Sequence, residues 1–130
     1  MPLGGIGNLD HCVLLCSRMA ETRAFYEGVM GFTVETDRPN WVSFRVGASL
    51  LTLWPRANWA VCDDGPKAPG AASVQLCFRV PPAEIEACHE ALVAAGVPIL
   101  RPPTDLPEWR HRTLFFRDPE NNVLEIYSEI

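Results

Sequence analysis

The sequence repeats one order of predicted secondary structure, and this repeat limits the possible folds more than any other feature of the chain. In each half an apolar strand precedes an amphipathic helix, the helix ends at a glycine, and three short strands follow. The halves span residues 8–54 and 73–130, with Gly31 and Gly96 where helix C-terminal caps are expected. Because one β-α-β-β-β unit leaves a sheet face uncovered, we expect two such modules within one α+β domain of residues 1–130.

Hydrophobic periodicity and turn residues place the individual elements. The helices are predicted at 19–30 and 82–95, and the strands at 8–16, 32–36, 41–46, 49–54, 73–80, 97–101, 113–117 and 123–127. Residues 55–72 are rich in proline and glycine and show little periodicity, so we interpret them as a linker or flap between the modules. A second loop is expected at 102–109.

Composition narrows the classes of function. The chain is 48% hydrophobic and 21% charged, which is typical of a globular protein and not of a disordered one. Its net charge of -5 argues against nucleic-acid and anionic-membrane partners. The sequence has neither a transmembrane-length apolar run nor a signal-peptide pattern at its start, and its five cysteines form no CxxC pair. We therefore expect a cytoplasmic protein with reduced thiols.

Aligning the two halves places four polar residues at corresponding positions. His11 in the first strand aligns with Gln75 in the fifth, and Thr52 in the fourth strand aligns with Glu125 in the last. Side chains alternate between the faces of a strand, so each of these residues lies on one definite face. We expect the two modules to form a curved mixed sheet around a cleft, with these four side chains on its inner face.

Several segments carry a resemblance to a known superfamily. They are Leu9-Asp10-His11, Ala24-Phe25-Tyr26, Met30-Gly31-Phe32, Ala95-Gly96-Val97 and the run from Phe116 through Asp118-Pro119-Glu120-Asn121-Asn122 to Ile126. In order and spacing these segments resemble the vicinal oxygen chelate superfamily, which includes glyoxalase I, bleomycin-resistance proteins and extradiol dioxygenases. The resemblance covers nearly the whole chain and is more specific for the glyoxalase-like fold than for the reaction.

The resemblance implies a metal ion in the cleft. Its ligands would be His11, Gln75 and Glu125, while Thr52 stands where glyoxalase I would place a glutamate. One imidazole, one amide oxygen and one carboxylate form a mixed nitrogen and oxygen set, which suits divalent Fe, Mn, Ni or Zn with positions open for substrate oxygens. Without the resemblance, His11 on a strand would be interpreted as a hydrogen-bonded structural residue.

Other residues are candidates for catalysis and for substrate binding. Glu125 and His111 are the candidate catalytic residues, although His111 also fits a solvated basic turn between two arginines. Thr52, Trp54 and Trp109 are candidate substrate contacts, because aromatic rings over a cleft bind flat or apolar ligands well. Core packing is the alternative interpretation for the tryptophans.

Two classes of function remain open. The first is a metal-dependent lyase or ring-cleaving dioxygenase that acts on a small molecule with vicinal oxygens, and the presence of both His11 and Glu125 favours it. The second is a metal-free protein that binds and sequesters a small molecule, as bleomycin-resistance proteins do, and the incomplete ligand set favours it. The resemblance also implies a homodimer.

Overall fold

The computed structural model describes residues 4, 9–58 and 73–130. The chain divides into two compact units, residues 1–63 and 64–130, and each is described by itself below. Most of the predicted linker, residues 59–72, lies outside the described residues. Within the described part, no helix is long and apolar enough to cross a membrane.

The described residues of the first unit form a four-stranded mixed sheet and a helical segment. Its strands are β1 (His11–Cys16), β2 (Thr33–Arg38), β3 (Trp41–Val46) and β4 (Ser49–Pro55), and α1 (Met19–Ala24) continues into a π-helical turn over Phe25–Val29. A short 3-10 turn over Arg56–Asn58 follows β4. The strands lie in the order β1-β4-β3-β2, with β1 parallel to β4 and the other neighbours antiparallel.

The helical segment covers one face of this sheet. Tyr26 is fully buried, and its ring lies 6.1 Å from that of Phe32 and 6.2 Å from that of Phe44 on β3. Gly31 has a φ of +72°, and this left-handed residue lets the N–H of Phe32 bond to the carbonyl of Tyr26. The predicted glycine cap therefore returns the chain to the sheet and seats Phe32 in the core.

The second unit repeats the topology of the first. Its strands are β5 (Gln75–Arg79), β6 (Ile99–Leu106), β7 (His111–Arg117) and β8 (Val123–Glu129), and its helix is α2 (Ile85–Ala94). Short 3-10 turns over Pro82–Glu84 and Pro107–Trp109 precede α2 and β7. The strand order is β5-β8-β7-β6, with β5 parallel to β8. The predicted α+β fold of two β-α-β-β-β modules is confirmed.

One strand is longer than the sequence indicates. We expect β6 to end at Arg101 and a loop to follow from Pro102, but the strand continues to Leu106. Its register against β7 shifts between Ile99 and Arg101 and again between Arg101 and Thr104, so the two prolines lie at an irregular part of the ladder. Proline is tolerated at such bulges because its missing N–H breaks no ladder bond there.

The turn between β7 and β8 is closed by one buried carboxylate. Oδ1 of Asp118 accepts hydrogen bonds from the N–H groups of Glu120 and Asn122, both at 2.9 Å, and Oδ2 accepts one from the Asn122 amide at 3.0 Å. Asn121 takes the left-handed conformation within this turn, with a φ of +66°. The Asp-Pro-Glu-Asn-Asn segment is therefore a structural turn that sets the start of β8.

Candidate functional site

Each sheet packs one face against its helix, α1 against the first sheet and α2 against the second, and the other face carries the candidate residues. On the first sheet, β1 pairs with β4 so that Val13 lies opposite Thr52 and Leu15 opposite Trp54. Because alternate residues of a strand share a face, His11 lies on the same face as Thr52 and Trp54. We call this surface of the first unit the site face of the first sheet.

His11 is paired with the residue that precedes it. Nδ1 of its ring lies 2.7 Å from Oδ2 of Asp10, close enough for the carboxylate to accept the Nδ1–H. This contact favours the tautomer whose Nε2 carries a lone pair. A carboxylate is also one of the common partners of the second ring nitrogen in a metal-ligating histidine.

Thr52 is buried, and its hydroxyl is engaged within the first sheet. Oγ1 of Thr52 lies 2.8 Å from Oγ of Ser43, which is directly opposite on β3. Both residues are at most 3% exposed. A buried pair of hydroxyls provides no negative charge, so this position offers no carboxylate to a cation.

Trp54 lies beside a second tryptophan. The rings of Trp41 and Trp54 meet edge to face with centroids 5.2 Å apart, and both side chains are half-buried. The site face of the first sheet therefore combines an exposed imidazole, a buried hydroxyl pair and a partly exposed aromatic pair.

On the second sheet, the site face is the one that carries Glu125. Cys77 lies directly opposite Glu125 in the parallel pair of β5 and β8, and Gln75 lies two residues before Cys77 on the same face. The Gln75 amide nitrogen donates to Sγ of Cys77 at 3.4 Å. With Nε2 engaged in this way, the carbonyl Oε1 of Gln75 remains an acceptor.

Glu125 is a buried carboxylate. It is 7% exposed, and the hydroxyl of Thr113 on β7 donates to its Oε2 at 2.6 Å. Among residues 9–58 and 73–130, no lysine, arginine or histidine forms an ion pair with it. Buried carboxylates in proteins are normally paired with a cation or coordinate a metal, so this group is unusual in having only neutral partners.

The Cys77 thiol is a neutral partner of Glu125. Partial desolvation raises the pKa of the Cys77 thiol, and the hydrogen bond and charge of Glu125 raise the pKa further, against the lowering effect of the Gln75 amide. The thiol is therefore protonated at neutral pH and can donate to the carboxylate. The side chain is nevertheless exposed to solvent.

His111 and Trp109 lie at the end of the second sheet where β7 begins. His111 is the first residue of β7, and its ring stacks on Tyr127 with centroids 4.1 Å apart. Its Nδ1 is buried and has no hydrogen-bond partner among the described residues. Trp109, in the 3-10 turn before β7, is 65% exposed.

The structure adds partners that the sequence interpretation does not include. Asp10, Ser43, Cys77 and Thr113 each contact one of the candidate residues. Strand alternation alone places Cys77 on the same face as its partner, because Cys77 follows Gln75 by two residues on β5. The contact across strands, such as that of Thr113 with Glu125, requires the register as well.

The predicted metal ligands stay a prediction. Among residues 9–58 and 73–130, no three side chains of the His, Cys, Asp and Glu types form a group that could hold a metal ion. The predicted set contains only two residues of these types, His11 and Glu125, because Gln75 contributes an amide. Gln75 and Glu125 are on one face of the second sheet, and His11 is on the site face of the first.

A family profile decides the classification. The profile described as the glyoxalase/bleomycin resistance protein/dioxygenase superfamily matches residues 8–126. The chain belongs to this superfamily. The resemblance found in the sequence motifs is thereby confirmed, and the match spans both modules.

Two solved structures and one curated relative illustrate the likeness to this superfamily. The chain is 30% identical over 125 residues to virulence protein STM3117 of Salmonella typhimurium, covering 93% of this chain and 83% of that protein. A glyoxalase/bleomycin resistance protein/dioxygenase from Nocardioides aligns with a TM-score of 0.81 at 22% identity, covering 96% of this chain and 85% of that one. Lactoylglutathione lyase from Agrobacterium tumefaciens aligns with a TM-score of 0.76 at 20% identity, covering 95% and 94% of the two chains. At these identities the two structures show the shared fold.

Proposed function

We propose that this protein is a metal-dependent enzyme that acts on a small molecule with two adjacent oxygen atoms, and that His11, Gln75 and Glu125 hold a divalent metal ion. One observation carries the proposal. Each of these side chains has one polar atom engaged by a neighbour, Nδ1 of His11 by Asp10, Nε2 of Gln75 by Cys77 and Oε2 of Glu125 by Thr113. Such contacts orient metal ligands and leave their other atoms for the metal.

The donor atoms fit a divalent ion. An imidazole nitrogen, an amide oxygen and a carboxylate oxygen suit Fe, Mn, Ni or Zn. The burial of Glu125 without a cationic side chain among the described residues supports a cation as its missing partner. When bound, such an ion acts as a Lewis acid toward substrate oxygens.

The chain's own residues have distinct roles in this proposal. Glu125 provides a negative charge at a buried position, where a carboxylate can take up a proton from the substrate. His111 contacts the substrate through its ring, held by stacking on Tyr127. Trp54 and Trp109 contact apolar parts of the substrate, and Thr52 lies beside it without ligating the metal, because its hydroxyl is bonded to Ser43.

The comparisons support the reaction class only in outline. The superfamily name includes dioxygenases, and one structural neighbour is a lactoylglutathione lyase, so the proposal covers a lyase or a dioxygenase. A homodimer, which the resemblance implies, and a cytoplasmic location, which the sequence analysis predicts, are parts of the same proposal.

A metal-free binding protein is the second candidate, and a specific observation favours it. The fourth-strand position holds the Ser43–Thr52 hydroxyl pair in place of a carboxylate, and two tryptophans lie next to it. In this case the protein sequesters an aromatic or amphiphilic compound of the kind that aromatic rings bind. Glu125 is then dispensable for binding.

Metal analysis of the purified protein tests the proposal. The protein is prepared without chelator or affinity-tag metal, reconstituted separately with Fe(II), Mn(II), Ni(II) and Zn(II), and its metal content is measured by elemental mass spectrometry. His11→Ala and Glu125→Gln are the test variants, and Glu129→Gln is the control. Glu129 is an exposed carboxylate on the same face of β8 as Glu125, and it forms an ion pair with Arg79. We expect near-stoichiometric metal in the native protein and in Glu129→Gln, and loss of metal in the other two variants.

The contrary result is equally informative. A native protein that stays empty after reconstitution contradicts the metal proposal and supports sequestration. Tryptophan fluorescence then provides the assay, because a ligand bound beside Trp54 quenches it. Under sequestration, the binding curve is the same in the native protein and in Glu125→Gln.

A further inference from the structure

The contact between Thr113 and Glu125 joins two buried residues across neighbouring strands. Thr113 is fully buried and Glu125 is 7% exposed, and the hydroxyl lies 2.6 Å from Oε2 of the carboxylate. Hydrogen bonds from a hydroxyl to a charged oxygen are short, and this distance lies within their usual range. Because both groups are shielded from water, the carboxylate has little solvent with which to replace this bond.

Distances show which acceptor receives the single proton of the hydroxyl. Oγ1 of Thr113 lies 2.6 Å from the carboxylate of Glu125 but 3.4 Å from the carbonyl oxygen of Ile126. Hydroxyl bonds to oxygen are normally below about 3.0 Å, so the carboxylate is the acceptor. Thr113 therefore donates to Glu125 and fixes one of its two oxygens.

The strand register makes this contact diagonal. Phe115 lies directly opposite Glu125, while Thr113 lies opposite Tyr127. A diagonal neighbour on the same sheet face is within reach of a long side chain such as that of glutamate. Threonine is stiff at χ1 because it is β-branched, so its hydroxyl holds a defined position.

The corresponding pair in the first unit shows what is specific to Glu125. There the hydroxyl of Ser43 contacts the hydroxyl of Thr52, directly across the antiparallel pair of β3 and β4. In each sheet, therefore, a buried hydroxyl on a neighbouring strand contacts the candidate residue: Ser43 contacts Thr52, and Thr113 contacts Glu125. Only in the second sheet is the residue that is held a carboxylate, which can bind a cation.

We infer that Thr113 is a positioning residue for Glu125: its hydroxyl holds Oε2 and leaves the carboxylate in a single orientation for the bound cation. The role as a metal contact rests on the proposed function, whereas the orientation of Glu125 does not. Partners of this kind around a metal ligand change metal affinity by about 10- to 100-fold.

Two variants of Thr113 separate positioning from simple packing. Thr113→Val keeps the shape of the side chain and removes the hydroxyl, and Thr113→Ser keeps the hydroxyl. Crystal structures of the metal-free native protein and both variants report the orientation of the Glu125 side chain. Calorimetric titration with Mn(II) and with Zn(II) reports metal affinity, and urea unfolding shows that each variant is folded.

We expect Glu125 to keep one conformer in the native protein and in Thr113→Ser, and to occupy a different or mixed conformer in Thr113→Val. We expect Thr113→Val to bind metal about 10- to 100-fold more weakly and Thr113→Ser to restore the affinity. A single unchanged Glu125 conformer in Thr113→Val overturns the inference, even where the native protein binds no metal. Unchanged metal affinity in that variant, in a native protein that does bind metal, also overturns it. Failure of the proposed function is recognised separately, by absence of metal binding in the native protein.

Discussion

Nδ1 of His11 lies 2.7 Å from Oδ2 of Asp10, so two consecutive residues at the start of β1 form one unit in which a carboxylate orients an imidazole. Both side chains are substantially exposed. An exposed pair of this kind adds little to folding stability. Its main effect is therefore expected on what the ring binds.

Asp10→Asn tests this expectation. Removing the charge weakens the hold on Nδ1 and lowers the basicity of Nε2, so metal affinity is expected to fall by about 10- to 100-fold while the melting temperature changes little. Isothermal titration with Zn(II) and thermal unfolding are the measurements. Glu27→Gln is the control, because it removes an exposed carboxylate of the same unit that pairs with Arg23. Equal affinities in Asp10→Asn and Glu27→Gln would count against an orienting role for Asp10.

Asp118→Ala is expected to destabilise the second unit. The change removes the acceptor of three hydrogen bonds in the turn before β8 and leaves buried donors without partners. Such losses cost about 2–3 kcal/mol in the free energy of unfolding. Urea unfolding measures it, and Asp118→Asn, which keeps one acceptor oxygen, should lose less. A loss below about 1 kcal/mol would show that solvent replaces these bonds.

The first unit should be sensitive to truncation of Phe44. This side chain is fully buried on β3 against Tyr26 and Phe32, so Phe44→Ala leaves a cavity in the aromatic core. The expected cost is about 3–5 kcal/mol in the free energy of unfolding. Leu9→Ala, at a side chain that is 86% exposed, should stay within about 0.5 kcal/mol of the native value. Similar unfolding curves for both variants would contradict the assignment of Phe44 to the core.

An ion pair between α1 and β2 makes stability depend on pH. Arg23 bonds to both oxygens of Asp37, at 3.0 and 2.9 Å, and these bonds hold the pKa of Asp37 below its ordinary value of 3.8. Because the pKa is lower in the folded than in the unfolded state, the contribution to stability is present above the ordinary pKa. It is lost as the pH falls through the lowered pKa of the folded protein.

Arg23→Gln should therefore be less stable than the native protein at neutral pH, and the difference should disappear under acid conditions below the folded pKa of Asp37. Thermal unfolding across this pH range measures the difference, and NMR titration of the Asp37 carboxyl measures the pKa directly. In an Asp37→Asn background, replacing Arg23 should produce a smaller pH dependence, because the contact of Arg23 with Asp37 is already removed and its contact with Glu27 is not. Identical Asp37 titration curves in native and Arg23→Gln protein would disprove the link.

Much of the fold is predictable from local patterns in the chain. Alternation and glycine caps locate both modules, and the alignment of the two halves agrees with the observed registers. His11 lies two residues before Val13, the partner of Thr52, and Gln75 lies two residues before Cys77, the partner of Glu125. The end of β6 is less predictable, because the residues after Pro102 resume pairing only through contacts with β7.

The sequence by itself determined the two modules, the family and the sheet face on which each candidate residue lies, because helix and strand periodicities are local properties of the chain. The tertiary structure decided which neighbour holds each candidate: Ser43 for Thr52, Thr113 for Glu125 and Tyr127 for His111. It also decided that Glu125 is buried. These facts depend on the register between strands distant in sequence, which decides which residues lie opposite each other and which local periodicity does not specify.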